Sequence, residues 1–216
     1  MRREIAEYEK SHRSGCQAGA IAWLAYRRIV EALFHFRVGR LRVGSPAWHC
    51  LQERLARAPA VGVAAWKRAE FYMRTLPDCG QDLFVHPGIY MCYPENIHLK
   101  TNVFINRGAF ITAPAPITIG TNALIGPYVV INSGSHVFED PSRPIREQGH
   151  KEYPIVIEDD VWIGAHAYIG PNVHIGCGAV ITANSVVLRN VAAYSVVAGI
   201  PATFRMSRGL PEGSVD

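Results

Sequence analysis

Aliphatic side chains recur every six residues through the second half of the chain. The pattern is unbroken at Ile157, Ile163, Ile169, Ile175, Ile181 and Val187, and it occurs earlier over residues 99–131 with one shift of two residues at positions 115–116. A period of six matches neither the repeat of a helix nor the two-residue alternation of a sandwich strand. It indicates a solenoid in which each side of a prism is one very short strand.

A second column of small or β-branched residues keeps the same register. One outward residue separates its members from the aliphatic column, as in Val161, Trp162 and Ile163, and this alternation is typical of a half-buried strand. Glycine, proline and asparagine follow, as in residues 126–128 and 170–172, and these residue types favour tight corners. Three units therefore make one triangular coil, and successive coils stack as parallel strands.

Three motifs accompany the repeat: INSGSH at residues 131–136, VWIGAH at 161–166 and VAGIPA at 197–202. Together they resemble the hexapeptide-repeat acyltransferases, and within them the sugar O-acetyltransferases of the galactoside and maltose type and of the colanic-acid, capsule and exopolysaccharide type. The resemblance covers about half of the chain. It implies a mainly β fold, a left-handed parallel β-helix, assembled as a homotrimer that binds acetyl-CoA between adjacent β-helices.

The sequence divides into four parts. Residues 1–76 are predicted to be helical, in three pieces broken at 39–46 and 59–62. Residues 77–96 are predicted to be a connector in which the first irregular strands begin. The β-helix domain is predicted over 97–205, and a C-terminal tail over 206–216. The six-residue pattern stops near Gly134 and resumes at Ile155, so residues 134–154 are expected to project as an extended loop.

A single histidine stands at the root of that loop. Acetyl transfer from a thioester to a hydroxyl needs a base, and histidine is suited to this at neutral pH. His136 also matches the family's catalytic histidine. The resemblance therefore implies that His136 removes the proton of the acceptor hydroxyl, which attacks the acetyl group directly, and then protonates the coenzyme A thiolate.

Two amides are predicted to bind the acceptor. Asn106 matches an asparagine that binds the acceptor in galactoside-type enzymes, and an amide can both donate to and accept from a sugar hydroxyl. Gln148 resembles a residue of the polysaccharide branch and is placed near the acceptor. The sequence does not rank the loop carboxylates Glu139, Asp140 and Glu147 as groups that orient His136.

The donor residues follow from the same resemblance. Trp162, Ala165 and Ala183 match positions along the pantetheine arm, and Arg189 matches a basic residue near the coenzyme phosphates. The chain departs from the family at Thr203, where a basic residue is usual. Arg205 or Arg208 is expected to supply that charge.

The cysteine content of the chain limits which cellular compartment and which cofactors the sequence favours. The chain has 216 residues and five cysteines without a CxxC pair, which argues against a disulfide framework or a zinc site. No signal peptide is visible, so we expect a cytoplasmic protein. No metal is expected, since ligand clusters are absent from the sequence and acetyl transfer needs none.

Positive charge is concentrated in the first third of the chain. Residues 1–76 hold 14 Lys and Arg against 6 Asp and Glu, whereas the remainder holds 8 against 12. Residues 20–48 mix apolar side chains with arginines, and two interpretations of this segment remain open. The segment is either a basic amphipathic helix at the inner membrane surface or, as we favour, helices packed on the β-helix or a neighbouring subunit. No nucleic-acid motif accompanies the charge.

The leading hypothesis is an acetyl-CoA-dependent O-acetyltransferase that modifies a saccharide, either a polysaccharide or a glycan precursor. One alternative is N-acetylation of an amino-sugar or an antibiotic on the same scaffold. The other is a zinc-dependent protein of the hexapeptide-repeat carbonic anhydrase type, with His136, His150 and His166 as ligands.

Overall fold

Three helices precede a solenoid of short parallel strands. The computed structural model describes residues 17–209, with side chains from residue 28 onward. The helices are α1 (Gln17–Val38), α2 (Pro46–Ala56) and α3 (Val63–Thr75), and they are separated at the two Gly- and Pro-containing segments where the sequence predicts breaks. Ser45 caps α2, because its hydroxyl accepts a hydrogen bond of 3.3 Å from the Trp48 N–H. No helix in the described part of the chain is both long and apolar enough to cross a bilayer.

The strands form three parallel sheets, one on each face of a prism. Face A contains β1 (Asp78–Cys79), β4 (Ile97–Leu99), β7 (Ile117–Ile119), β12 (Ile155–Ile157) and β15 (His174–Ile175). Face B contains β2 (Phe84–Val85), β5 (Phe104–Ile105), β8 (Leu124–Ile125), β13 (Trp162–Ile163), β16 (Val180–Ile181), β18 (Ser195–Ala198) and the antiparallel β19 (Thr203–Ser207). Face C contains β3 (Tyr90–Cys92), β6 (Phe110–Thr112), β9 (Val130–Asn132), β14 (Tyr168–Ile169) and β17 (Val186–Val187).

The aliphatic column lies inside this prism, as the repeat predicts. On face B, Ile105, Ile125 and Ile163 stack in register and are fully buried. Each coil covers the isoleucines of its neighbours, so burial of apolar area stabilises the stack as a whole. The expected fold class, a mainly β parallel β-helix with N-terminal helices, is confirmed.

The first regular coil begins before residue 97, the predicted start of the β-helix domain. Residues 77–96, expected to be a connector, contain β1, β2 and β3. Leu83 and Ile89, and likewise Val85 and Met91, are buried and keep the spacing of six. Mixed apolar types and the adjacent prolines obscured that spacing. At the other end β19 continues past residue 205 to Ser207, while residues 1–16 of the predicted helical part and 210–216 of the predicted tail lie outside the described residues.

The extended loop is an insertion that leaves the stack intact. It contains an antiparallel hairpin of β10 (Gly134–His136) and β11 (His150–Glu152), as well as a short 3-10 turn. Strand β7 belongs to the coil before the loop, and β12 is the first solenoid strand after it. The two strands pair directly, with Ile117 opposite Ile155. The loop therefore projects from the corner between faces C and A without separating the coils.

Side chains of the helices complete the open end of the solenoid. The amide of Gln52 is fully buried and pairs with Met91 as a neighbouring strand would, accepting from its N–H at 2.9 Å and donating to its carbonyl at 3.2 Å. The Tyr72 hydroxyl donates a further bond of 3.1 Å to Gln52. The first coil thus has a polar partner where a free strand edge would otherwise be left.

Arg68 attaches helices α2 and α3, which together form the helical cap of the solenoid, to face B. It is 1% exposed and donates hydrogen bonds to the carbonyls of Val85, Leu55, Ala58 and Pro59 at 2.8–3.1 Å. Burial lowers the pKa of the Arg68 guanidinium, and Tyr72 opposes this shift, but an arginine stays charged at neutral pH. The cation joins the turn between α2 and α3 to the edge of β2.

Candidate active site

His136 ends β10 at the root of the extended loop. It pairs with His150 across the hairpin, and the two imidazole ring centres are 4.4 Å apart. Both residues are exposed. The rigid coil below the hairpin therefore presents an accessible imidazole at the corner between faces C and A.

Two of the three loop carboxylates are engaged elsewhere. Glu139 forms an ion pair with Lys151, and that hydrogen bond is the main cause of the lowered pKa of Glu139. The Ser142 hydroxyl donates to Asp140 at 2.6 Å and is the main cause of the lowered pKa of Asp140. Both groups are ionised at neutral pH and hold the loop together, so neither of them orients His136 within one chain.

The side chain of Gln148 also braces the loop. Its amide nitrogen donates to the carbonyls of Asp140 and Arg143 at 2.8 and 2.9 Å, and its oxygen accepts from the Asp140 N–H at 3.1 Å. These bonds shape residues 140–148 into a compact lobe. The predicted contact of Gln148 with an acceptor stays a prediction.

Face B carries an outward apolar column. Its members, in register along the sheet, are Phe84, Phe104, Leu124, Trp162 and Val180. Trp162 points outward as the repeat predicts and is 52% exposed. An exposed contiguous apolar strip of this kind marks a binding or subunit surface.

At the corner after face B, small residues allow the backbones of neighbouring coils to lie close together. Ala165 and Ala183 follow β13 and β16 there, and the Asn184 N–H donates to the Ala165 carbonyl at 2.8 Å. A Cβ atom at Gly164 would lie 2.5 Å from the Ala183 nitrogen, so a larger residue would force the coils apart. The small residues leave backbone groups accessible beside Trp162.

Asn106 lies at the same type of corner, two coils nearer the helices. Its side-chain oxygen accepts a 2.7 Å bond from the Arg107 N–H. Next to it a groove of about 480 Å³ is lined by ten residues, including Arg57, Arg107, Gly108 and Tyr128. A Cβ at Gly108 would overlap the Tyr128 ring at 2.4 Å.

This groove, with Arg57 and Arg107 in its lining, was not predicted from the sequence. Arg107 and Gly108, directly after Asn106, were its only local signal. Its other wall is the turn after α2, which the hydrogen bond from the Gly88 N–H to the Ala56 carbonyl brings against the solenoid.

The three arginine candidates differ in their surroundings. Arg208 is held by an ion pair of 2.8 Å with Asp160 and a bond to the Gly178 carbonyl. Arg205 is exposed on β19, with one long bond of 3.4 Å to the Ala198 carbonyl. Arg189 is exposed after β17, at the corner between faces C and A. Arg205 is therefore better placed than Arg208 to meet a phosphate.

The predicted site residues fall into two groups on different parts of the prism. Face B and the corner after it carry Asn106, Trp162, Ala165, Ala183 and Arg205. The corner between faces C and A carries His136, Gln148 and Arg189. One chain does not bring the two groups together.

The histidines of the zinc hypothesis are also separated. His166 stacks on Tyr128, with ring centres 5.1 Å apart, at the corner after face B. His136 and His150 lie at the corner between faces C and A. No cluster of three or more His, Cys, Asp or Glu able to hold a metal ion occurs among the described residues.

The repeat and its surroundings match known proteins. Residues 154–189 match the family model for the bacterial transferase hexapeptide (six repeats). A galactoside O-acetyltransferase of Escherichia coli (strain K12) is 34% identical over 136 residues, 62% of this chain and 66% of that protein. A provisionally named acetyltransferase of Saccharomyces cerevisiae is 36% identical over 137 residues, 62% of this chain and 68% of that protein. The chain belongs to the hexapeptide-repeat acetyltransferases.

A solved structure extends this likeness to most of the described fold. A hexapeptide-repeat acetyltransferase of Vibrio cholerae, crystallised with acetyl-CoA, is 32% identical, covers 74% of this chain and 87% of that one, and superposes with a TM-score of 0.65. The expected similarity to the colanic-acid type is also found, at 27% identity over 123 residues, 57% of this chain and 65% of a provisionally named colanic acid biosynthesis acetyltransferase of Escherichia coli (strain K12). The matches span about two thirds of the length of the curated relatives. This hexapeptide-repeat acetyltransferase is accordingly an acyltransferase by family.

Proposed function

We propose that the chain transfers the acetyl group of acetyl-CoA to a hydroxyl of a saccharide, at a site shared between two copies in a homotrimer. The observation that carries this proposal is the division of the candidate residues into two groups. The coenzyme residues Trp162, Ala165 and Ala183 lie beside face B, while His136 lies at the opposite corner. A closed threefold ring joins two different surfaces of the chain, and in the proposed ring the corner between faces C and A of each copy meets face B of the next.

The donor is proposed to lie along face B. Acetyl-CoA is the ligand named for the Vibrio cholerae structure. In this chain the exposed ring of Trp162 offers an apolar surface to the pantetheine arm, and the small corner residues let the arm approach backbone groups. Arg205 of the same face and Arg189 of the neighbouring copy are proposed to contact the coenzyme phosphates, which arginine binds strongly.

His136 is proposed as the general base. Its imidazole takes the proton from the acceptor hydroxyl as the oxygen attacks the thioester carbonyl. The carbon–sulfur bond then breaks, the acetyl group remains on the acceptor oxygen, and the proton passes from the imidazolium to the coenzyme A thiolate. Because Glu139 and Asp140 are bonded within the loop, a group of the neighbouring copy is proposed to orient the imidazole.

The acceptor is proposed to lie between Asn106 and His136. A saccharide is supported by the names of the galactoside and colanic-acid relatives. The groove beside Asn106 has room for the rest of a larger glycan, and Arg57 and Arg107 favour one that carries negative charge. Four cysteines of the described residues are free thiols, which suits a reaction in the reducing cytoplasm.

An acceptor panel tests the reaction class. Purified chain is incubated with acetyl-CoA and p-nitrophenyl β-galactoside, p-nitrophenyl β-glucuronide or glucosamine, and thiol release and acetylated product are measured. We expect O-acetylation of a glycoside, with the acidic glucuronide used better than the neutral galactoside. Release of coenzyme A with the amine alone would contradict O-acetyl transfer and favour the N-acetyl alternative.

Mixing two inactive variants tests the shared site. One carries His136→Ala and the other Trp162→Ala, so each lacks one of the two groups. If the site lies between copies, unfolding and refolding the two together should restore about one quarter of wild-type activity, because about one interface in four combines an intact corner with an intact face. Each variant refolded alone is the control. No recovery in verified mixed trimers would place the whole site in one chain.

A further inference from the structure

One face of α1 exposes a stripe of large apolar side chains. Ile29, Leu33 and Phe36 are 59%, 64% and 59% exposed. They are spaced at i, i+4 and i+7, so they lie along one side of the helix. If both faces of α1 were packed against its own domain, these three side chains would be buried.

The opposite side of α1 already holds the helix to the protein. Phe34 contacts the Trp66 ring with centres 5.7 Å apart, His35 lies 3.1 Å from the Glu70 carboxylate, and Val38 is buried in the core. The stripe is therefore presented by a helix whose orientation is fixed by α3. It is not a segment still to be folded onto the domain.

Arginines surround the stripe. Arg28, Arg37 and Arg40 are exposed around it, and the Arg40 guanidinium lies 3.8 Å from the centre of the Phe36 ring. Glu31 is the one carboxylate in residues 28–40. An apolar stripe with a basic border is the pattern of a helix that lies in the interface of an anionic membrane.

The size of the stripe favours lipid over a second protein. Among the side chains of α1 that the structure describes, these three expose roughly 400 Å², about half of the roughly 800 Å² that each partner contributes to a stable protein interface. An interfacial helix needs less, since a few apolar side chains act together with charge attraction to anionic headgroups.

We propose that the α1 stripe of Ile29, Leu33 and Phe36, with its border of arginines, seats the protein on an anionic lipid surface. The helix lies on this surface and does not span it, in agreement with its length and apolar content. The contact is independent of acetyl transfer. Its consequence is that the enzyme works beside membrane-associated acceptors.

Vesicle co-sedimentation of the full-length chain tests this proposal. We expect at least tenfold more bound protein with vesicles of 70% phosphatidylcholine and 30% phosphatidylglycerol than with phosphatidylcholine alone, and a loss of binding on raising NaCl from 0.1 to 0.5 M. The double variant Leu33→Glu/Phe36→Glu should bind the anionic vesicles at least tenfold less than wild type.

The matched control is Val61→Glu/Val63→Glu, which introduces the same two charges at apolar side chains 76% and 51% exposed between α2 and the start of α3. It should bind vesicles as wild type does. Light scattering and coenzyme A release with a soluble glycoside show that the variants remain assembled and folded. Wild-type indifference to anionic lipid, equal losses in the Val61/Val63 control, or a change of oligomeric state in the stripe variant without lipid would each overturn the membrane contact.

Discussion

Replacing His136 by alanine is expected to lower turnover by about 10²–10⁴-fold, the usual contribution of a positioned general base. The exposed imidazole at the root of the hairpin would be lost, while the coil beneath it is unchanged, since β7 and β12 pair without the loop. Turnover is measured as coenzyme A release with the best glycoside of the acceptor panel. The Michaelis constant for acetyl-CoA should change little, because the residues proposed to hold the pantetheine arm, Trp162, Ala165 and Ala183, lie on another part of the prism.

His174→Ala is the matched control. His174 is an exposed histidine on face A, 2.7 Å from Glu158, and belongs to neither group of candidate residues. We expect its turnover to stay within about twofold of wild type. If His136→Ala also retains near-normal turnover, another group removes the proton and the proposed mechanism is wrong.

Replacing Arg68 by methionine should lower the free energy of unfolding by about 3 kcal/mol or more. The substitution removes four hydrogen bonds from a charged donor and leaves the buried carbonyl of Val85 without a partner, whereas the Leu55 carbonyl keeps its bond from the Ala58 N–H. Methionine has a similar length and retains most of the packing, so the loss reports mainly the polar contacts. Urea unfolding followed by circular dichroism measures the change.

Arg57→Met separates this effect from the general loss of an arginine. Arg57 is largely exposed and makes only a 3.6 Å ion pair with Glu53, so its removal should change stability by less than about 0.5 kcal/mol. An Arg68 variant as stable as the Arg57 variant would show that solvent replaces the buried bonds and that the cap is not held by this cation.

The solenoid was predictable because its core repeats a local rule. Every inward isoleucine from residue 157 onward follows from the spacing of six, and the structure buries them all. The first coil was not predicted to be regular, because Val85 and Met91 occupy the positions that isoleucine holds in the later coils. The helical cap was not predictable in detail, since the roles of Gln52 and Arg68 depend on which strand edge the helices meet.

The arrangement of the site residues on the prism could be predicted only in part from the sequence. The individual candidates came from motifs, yet their separation depends on which corner each one occupies. Four sides of the prism, β6 to β9, separate Asn106 from His136, which is one side more than a whole coil. The loop bonds of Gln148 and the groove beside Asn106 depend on tertiary contacts that no spacing reveals.

Stacked coils also make the solenoid a molecular ruler. Each coil advances the chain by about 4.8 Å along the axis, and β5 and β13 are two steps apart on face B, so Asn106 and Trp162 differ in height by about 10 Å. Insertion or deletion of one whole coil would therefore shift a residue by about 4.8 Å along the axis and leave it on the same face of the prism. Evolution can thus adjust the length of acceptor that fits beneath the coenzyme in fixed increments, while the residues that perform the transfer keep their orientation.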